Sequence, residues 1–419
     1  MPREMKNSGI EWIGEIPSHW NTDRLQWHLE EIKVSNSPIQ SERVLSLTIE
    51  SGVIPYEDKG NQGNKSKENY EEYKLAYPNT LVVNSMNVII GAVGISRYFG
   101  CVSPVYYVFK ATSNTDLRYI YYLFTNVGFQ KEMRKYAKGI LEIRLRISAE
   151  DMLKRLIPNP PIKEQKAIAD FLDKQCAEID AVIAQTKATI EEYKVLKQSV
   201  ITEAVTKGIQ GDRPMKDSGI EWIREIPLDW EECKIKHAIF PQEKEVFPSD
   251  EIITCFRDGE VTLRRNRRED GFTVSFTEHG YHGVDIGDLV IHGMDAFAGA
   301  IGCSDSRGKT TPVVHVCKTV GNNRYFMYFL RCMAYGDILM DLSNGVRIRS
   351  SDYRNFSKLG VFGIVVPPLA EQNEIAEFLD AKCVEIDTLI EKKTLLLEEM
   401  ETFKKSLIFE YVTGKKEVV

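Results

Sequence analysis

From Leu172 onward, apolar or small side chains return every three or four positions, at Cys176, Ile179, Ile183, Thr186, Ile190, Tyr193, Leu196 and Val200. That spacing is one face of an α-helix. A second stripe repeats it at Leu379, Cys383, Ile386, Ile390, Lys393, Leu397, Met400, Phe403 and Leu407. Each run follows a Pro-Pro pair, holds no internal Gly or Pro, and stops at a glycine, Gly208 or Gly414. An unbroken helix from Lys163 to Lys207 would be about 67 Å long at about 1.5 Å per residue. Alone, it would leave its stripe in water. The pattern therefore predicts a coiled-coil-like pair in which Leu172, Ile179, Ile183 and Ile190 pack with Leu379, Ile386, Ile390 and Leu397. The alternative is that each helix packs on its own domain.

The segments before the helices have a different rhythm. Short apolar runs such as "NTLVVNSMNVIIGAVG" and "SPVYYVFK", or "GDLVIHGMDAFAGAIG" and "TPVVHVCK", are bounded by Gly, Asn, Ser and Pro and read as strands. "LRYIYYLFTNVGFQKEMRKYA" and "NRYFMYFLRCMAYGDILMDL" read as helices. The fold class is α+β: two pseudo-symmetric globular domains separated by two long antiparallel helices. The expected boundaries are 1–160 for the first domain, 161–210 for the central helix, 211–366 for the second domain and 367–419 for the last helix.

The symmetry comes from a repeat. "SGIEWIGEIPSHW" from Ser8 returns as "SGIEWIREIPLDW" from Ser218, differing only at Gly14/Arg224, Ser18/Leu228 and His19/Asp229. "PPIKEQKAIADFLDKQCAEIDAVI" from Pro160 returns as "PPLAEQNEIAEFLDAKCVEIDTLI" from Pro367. Between these blocks only a thread survives, pairing Met86 with Met294, Gly91 with Gly299, Gly94 with Gly302 and Pro104 with Pro312. Conserved frames with divergent middles suggest one job done twice on different targets. Two sequence duplicates related by a pseudo-two-fold would run their helices antiparallel.

With 43% hydrophobic and 27% charged residues, the composition is that of a globular chain. No run is long enough for a membrane span and no secretory h-region opens the chain, so the expected location is the cytoplasm, with no membrane partner. The eight cysteines form no CxxC pair, which disfavours a zinc site or a disulfide framework. A net charge of −7 does not favour nucleic acid, so local basic segments decide that question.

Catalytic signals are weak. "NPPI" at Asn159 to Ile162 lacks the aromatic residue that would stack on a flipped adenine, and its copy lacks the Asn. His279, His282 and His292 have no counterparts in the first half, so no metal is expected there. No P-loop, Gly-x-Ser-x-Gly or HExxH pattern occurs. No catalytic residue is assigned.

Basic segments carry more. "VTLRRNRREDGF" holds Arg264, Arg265, Arg267 and Arg268, suited to phosphate and to the guanine edge. Its first-half counterpart offers Lys65 and Lys67. Arg144 and Arg146 lie before the first Pro-Pro, and Arg347, Arg349 and Arg354 before the second; kept in both halves, they fit shared phosphate contacts. Asn84, Arg97 and His292 complete the candidate DNA contacts. In each case the plain alternative is a solvated loop or strand face.

The two opening blocks, the two Pro-Pro helix blocks and the "NSMNVIIGAVG...SPVYYVFK" core together resemble the DNA specificity subunits of type I restriction-modification systems. The resemblance covers essentially the whole chain. It implies a non-catalytic subunit whose two target recognition domains read a split sequence in double-stranded DNA. It also implies that the helices act as a spacer and dock two methyltransferase subunits, which use S-adenosylmethionine to methylate adenine. Restriction by ATP-driven translocation would belong to a further subunit, so this chain itself needs no cofactor. Two rival readings are a duplicated protein-binding scaffold and the methyltransferase itself; no cofactor loop supports the latter.

Overall fold

The computed structural model describes residues 3–60, 69–139, 145–267, 279–340 and 352–418. Its contacts divide the chain into two compact units, one formed by Met1–Lys187 with Leu395–Val419 and the other by Ala188–Thr394. Both cuts fall inside long helices. Each unit therefore contains the start of one long helix and the end of the other.

In the first unit the chain runs through β1 (Leu29–Glu31), β2 (Leu45–Thr48), β3 (Gly52–Pro55), β4 (Thr80–Asn84), β5 (Val93–Ser96) and β6 (Tyr106–Ala111). Four of these form an antiparallel sheet in the order β1, β6, β4, β5, and β2 pairs with β3 as a hairpin. Strand alternation sends neighbouring side chains into different cores. Leu81, Val83 and Phe109 join Tyr119, Ile120, Leu123 and Phe124 of α1 (Leu117–Thr125), whereas Val82 and Val108 face Leu45, Leu47 and Val53 of the hairpin. Covered on both faces, β4 is apolar throughout its middle. After α1, β7 (Leu156–Asn159) pairs with Asn21–Arg24 and leads through Pro160-Pro161 into α2 (Ile162–Lys207).

The second unit repeats the plan with β8 (Ile239–Pro241), β9 (Ile253–Cys255), β10 (Val261–Leu263), β11 (Leu289–His292), β12 (Ile301–Cys303) and β13 (Val314–Thr319). Its sheet order, β8, β13, β11, β12, matches the first. Helix α3 (Asn323–Tyr335) follows, capped by the Asn322 side chain, which accepts from the amides of Arg324 and Tyr325. Then β14 (Gly363–Val366) leads into α4 (Leu369–Val412). The two long helices end at Gly208 and Gly414, both with positive φ.

Within each unit the two helix segments run antiparallel. In the first, Phe171 meets Tyr411 with ring centroids 4.3 Å apart, and Asp180 pairs with Lys404 at 2.6 Å. In the second, Lys197 pairs with Asp387 at 2.6 Å and Arg213, just beyond α2, with Glu371 at 2.6 Å. The repeat makes Asp180 the counterpart of Asp387 and Lys197 that of Lys404, so one ion pair is built twice with the helices exchanged. Leu172, Ile179, Ile190, Leu379 and Ile386 are buried; Ile183, Ile390 and Leu397 are partly exposed. Leu172, Cys176 and Ile179 share a core with Leu407, Ile408 and Val412; Leu379 and Cys383 share one with Ile201, Ala204 and Val205.

The repeated opening block clamps each domain to the helix that follows it. Trp20, fully buried, donates its indole N–H to Glu164 at 2.8 Å, and Trp230 donates to Glu371 at 2.8 Å. Arg3 joins the first carboxylate and Arg213 the second. A buried tyrosine adds a second fastening: Tyr119 donates to the carbonyls of Pro158 and Val412, Tyr325 to those of Val365 and Val205. Each tyrosine thus ties its own domain to the last turn of the other repeat's helix. Within the block itself, Gly14 sits at φ 73° where Arg224 is held at φ 64°. The turn needs this left-handed conformation, which costs a side-chain residue about 1–2 kcal/mol.

Candidate nucleic-acid interface

At the end of β4 the chain makes a turn that is reproduced bond for bond at the end of β11. The Asn84 side-chain oxygen accepts from the amides of Met86 and Asn87 at 3.0 and 3.4 Å, and His292 Nδ1 accepts from those of Met294 and Asp295 at 3.3 and 3.1 Å. The Ala92 amide returns to the Asn87 carbonyl, as that of Ala300 does to Asp295. The Ile147 amide bonds the Ser85 carbonyl, as that of Tyr353 bonds Gly293. Behind the turn, a Cβ on Gly94 would come within 2.9 Å of Gly52, and one on Gly302 within 2.0 Å of the Gly259 carbonyl. The hairpin packs on the sheet at that glycine, which is why it survives in both halves.

Cations surround the first turn. Lys74 donates to the Tyr106 carbonyl at 2.7 Å, and Tyr106 is the residue paired with Asn84. Burial lowers the Lys74 pKa, Glu31 opposes that, and the like charges of Arg146 and Lys33 add to it. Arg146 is exposed and backbone-paired with Lys138, also exposed. Four cations thus gather beside one turn from segments far apart in the chain, a favourable setting for a phosphate. Lys33, Lys74 and Lys138 are missed by sequence reasoning because none lies in a basic run.

The second turn uses the same bonds with other residues. His282 shares a hydrogen bond with the Val314 carbonyl at 2.8 Å, standing where Lys74 stands. His315 bonds the Tyr353 carbonyl at 2.7 Å, as Tyr107 bonds that of Ile147 at 3.3 Å. Burial lowers the His292 pKa; Asp295 counters it, while Arg257 and His315 reinforce it. Burial likewise lowers that of His315, against the Tyr353 carbonyl and with help from His282. His282, His292 and His315 are accounted for by backbone hydrogen bonds, and no cluster of three metal-ligating side chains occurs among the described residues.

The structure distributes the expected contacts unevenly. Asn84 is 7% exposed and enters the site as the cap of the turn; His292 does the same work. Arg97 is exposed, yet it follows Ser96, which pairs with Thr80 at the far end of β4 from Asn84, so the two belong to opposite edges of the sheet. The arginine run is split rather than gathered. Arg264 reaches Thr254, Arg265 pairs with Glu251 at 2.6 Å, and Arg267 folds back onto Asp258, Glu260 and the Phe256 ring. Arg354 is held by Asp352 at 2.7 Å. Such exposed pairs are worth about 0–1 kcal/mol, so a phosphate can displace the carboxylate. Lys65, Lys67, Arg144, Arg268, Arg347 and Arg349 lie outside the described residues.

No helix among the described residues is long and apolar enough to cross a membrane. The family described as "Type I restriction modification DNA specificity domain" matches residues 31–192. The chain is 27% identical over 277 residues to the type I restriction enzyme MjaVIII specificity subunit of Methanocaldococcus jannaschii, an alignment covering 62% of this chain and 61% of that protein. It is 25% identical over 428 residues to the putative MjaX specificity subunit of the same organism, covering 96% and 95%. Among solved structures, a chain from work on complex assembly and conformational transition of the type I R-M system aligns with TM-score 0.67 at 12% identity, covering 96% of this chain and 99% of that one. The HsdS subunit of Thermoanaerobacter tengcongensis aligns with TM-score 0.52 at 13% identity, covering 96% and 98%. The repeated frame, its α+β plan and these likenesses agree: residues 31–192 match the type I restriction modification DNA specificity domain, and the chain is similar along nearly its whole length to a putative type I specificity subunit.

Proposed function

We propose that this chain reads a split target in double-stranded DNA, one part with each of its domains, 1–160 and 211–366, and directs adenine methylation and restriction by partner subunits. The observation that carries this reading is the pair of turns: one hydrogen-bonded frame built twice, with different side chains around each copy. A shared frame gives a common way of approaching the duplex, and the differing surroundings give each copy its own bases to read. Lys33, Lys74, Lys138 and Arg146 supply phosphate contacts beside the first turn; Arg257, Arg267 and Arg354, once released from their carboxylates, supply them in the second unit. Two methyltransferase subunits bring S-adenosylmethionine, and a restriction subunit brings ATP with magnesium.

A genome-wide map of N6-methyladenine in cells expressing the chain with its methyltransferase tests this. The expected result is a new split motif with one modified adenine in each part, on opposite strands. A complex that assembles but adds no motif overturns the reading and favours a protein-binding scaffold.

A further inference from the structure

The frame of each turn is closed by hydrogen bonds, yet both copies leave a large apolar side chain at the same position outside every core. Met86 is 37% exposed and Met294 is 44% exposed, while their neighbours Val88 and Ala296 are fully buried. The Met86 amide is tied to Asn84 and the Met294 amide to His292, so the backbone beneath each thioether is fixed. Around them the halves disagree: Asn84 against His292, Ser85 against Gly293, Asn87 against Asp295. The methionine alone is kept in that four-residue stretch. A rigid turn that displays an apolar chain to water, twice, gains nothing in folding from doing so.

We propose that Met86 and Met294 are a base-reading pair, each packing against the C5-methyl group of a thymine in its own half-site. This rests on the DNA-reading function proposed above. The chemistry narrows the choice. The major-groove edges of base pairs carry polar donors and acceptors, and their outstanding apolar feature is the thymine methyl. Methionine, unbranched and polarizable, adapts its contact to a methyl group at slightly different depths. Two domains that read different sequences can share this residue because each half-site holds an adenine, and each adenine brings a thymine opposite it. The flanking cations, Lys74 and Arg146 in the first unit and Arg257 and Arg354 in the second, hold the backbone close enough for the contact.

The test uses the full chain with its methyltransferase partners and a duplex bearing the mapped split motif. Thymines are replaced one at a time by deoxyuridine, which removes only the methyl. Burying one methyl-sized group contributes about 0.8 kcal/mol, or roughly fourfold in affinity. One such replacement in the first half-site weakens the wild-type complex by about that factor. Met86→Ala weakens binding to the unmodified duplex by at least as much and makes the complex insensitive to that replacement, while Met86→Leu retains most of the sensitivity. Met294→Ala does the same for the second half-site only. Unchanged affinity in the alanine variants, or equal loss on thymine and deoxyuridine duplexes with the wild-type methyl effect intact, overturns the inference while leaving the reader function standing. A wild-type complex that binds no split duplex removes both.

Discussion

The first unit holds its turn with Lys74, Asn84 and Tyr107; the second holds the same turn, through the same backbone atoms, with His282, His292 and His315. What the repeat conserves here is a set of hydrogen bonds to fixed carbonyls and amides, and the side chain that makes each bond is free to change. The difference has an electrical consequence. The Asn84 amide has no proton to gain in this range, whereas the His292 imidazole in the same place does. Two copies of one device therefore answer differently to their surroundings.

The two units depend most differently on the helix ends. Deleting residues 400–419, all of which belong to the first unit, removes Leu407, Ile408 and Val412 from its core and the carbonyl that receives Tyr119. Each fully buried side chain of that size is worth about 1.5–3 kcal/mol, so the loss exceeds what a unit can usually spare. Hydrogen exchange should show protection lost at 81–83 and 107–109 and retained at 289–291 and 314–316.

A smaller effect separates the two clamps. Glu371 is 6% exposed, and replacing it by alanine strands both Arg213 and the Trp230 indole, at a cost of about 3–5 kcal/mol. Glu164 is more open, its side chain 32% exposed, and it shares its charge with Arg3 and His19 near solvent, so Glu164→Ala should cost about 1–2 kcal/mol. Urea denaturation of the two variants should rank them in that order; equal losses would mean that the clamps bear equal strain.

The gentlest probe is pH. His292 must be neutral at Nδ1 to accept from Met294 and Asp295, and its folded pKa lies below the ordinary value of 6.5. The unfolded state then takes up a proton before the folded state does, so this stability is complete above about pH 6.5 and declines as pH falls below it. Binding to the second half-site should weaken on acidification while binding to the first holds. His292→Asn, which installs the first unit's residue, should abolish the difference.

Local features were legible in the sequence because they depend on neighbours. The stripe from Leu172, the Pro-Pro entries and the stops at Gly208 and Gly414 all lie within a few residues of the elements they shape. The cations gathered beside the first turn were not. Lys74 acquires its setting only when Tyr106, Glu31 and Arg146 are brought to it by sheet closure, and nothing near position 74 announces that. The run from Arg264 to Arg268 shows the opposite case: neighbours in sequence, its described members turn to different partners, Thr254, Glu251 and Asp258. Nor could the sequence say which helix segment belongs to which unit, because the two helix blocks are near copies.

The sharing of helix ends also sets an order of events at the ribosome. The second unit is one continuous stretch, Ala188–Thr394, and possesses all its residues once that stretch has emerged. The first unit, although most of it is made earlier, waits for Leu395–Val419. The part synthesised first is thus the part completed last, and in the interval Leu172, Cys176 and Ile179 lack the contacts that Leu407, Ile408 and Val412 bring to their core. Apolar surface left uncovered during synthesis is what chaperones bind and what drives misassembly. For this chain, the core of the first unit is complete only when the last helix has been made.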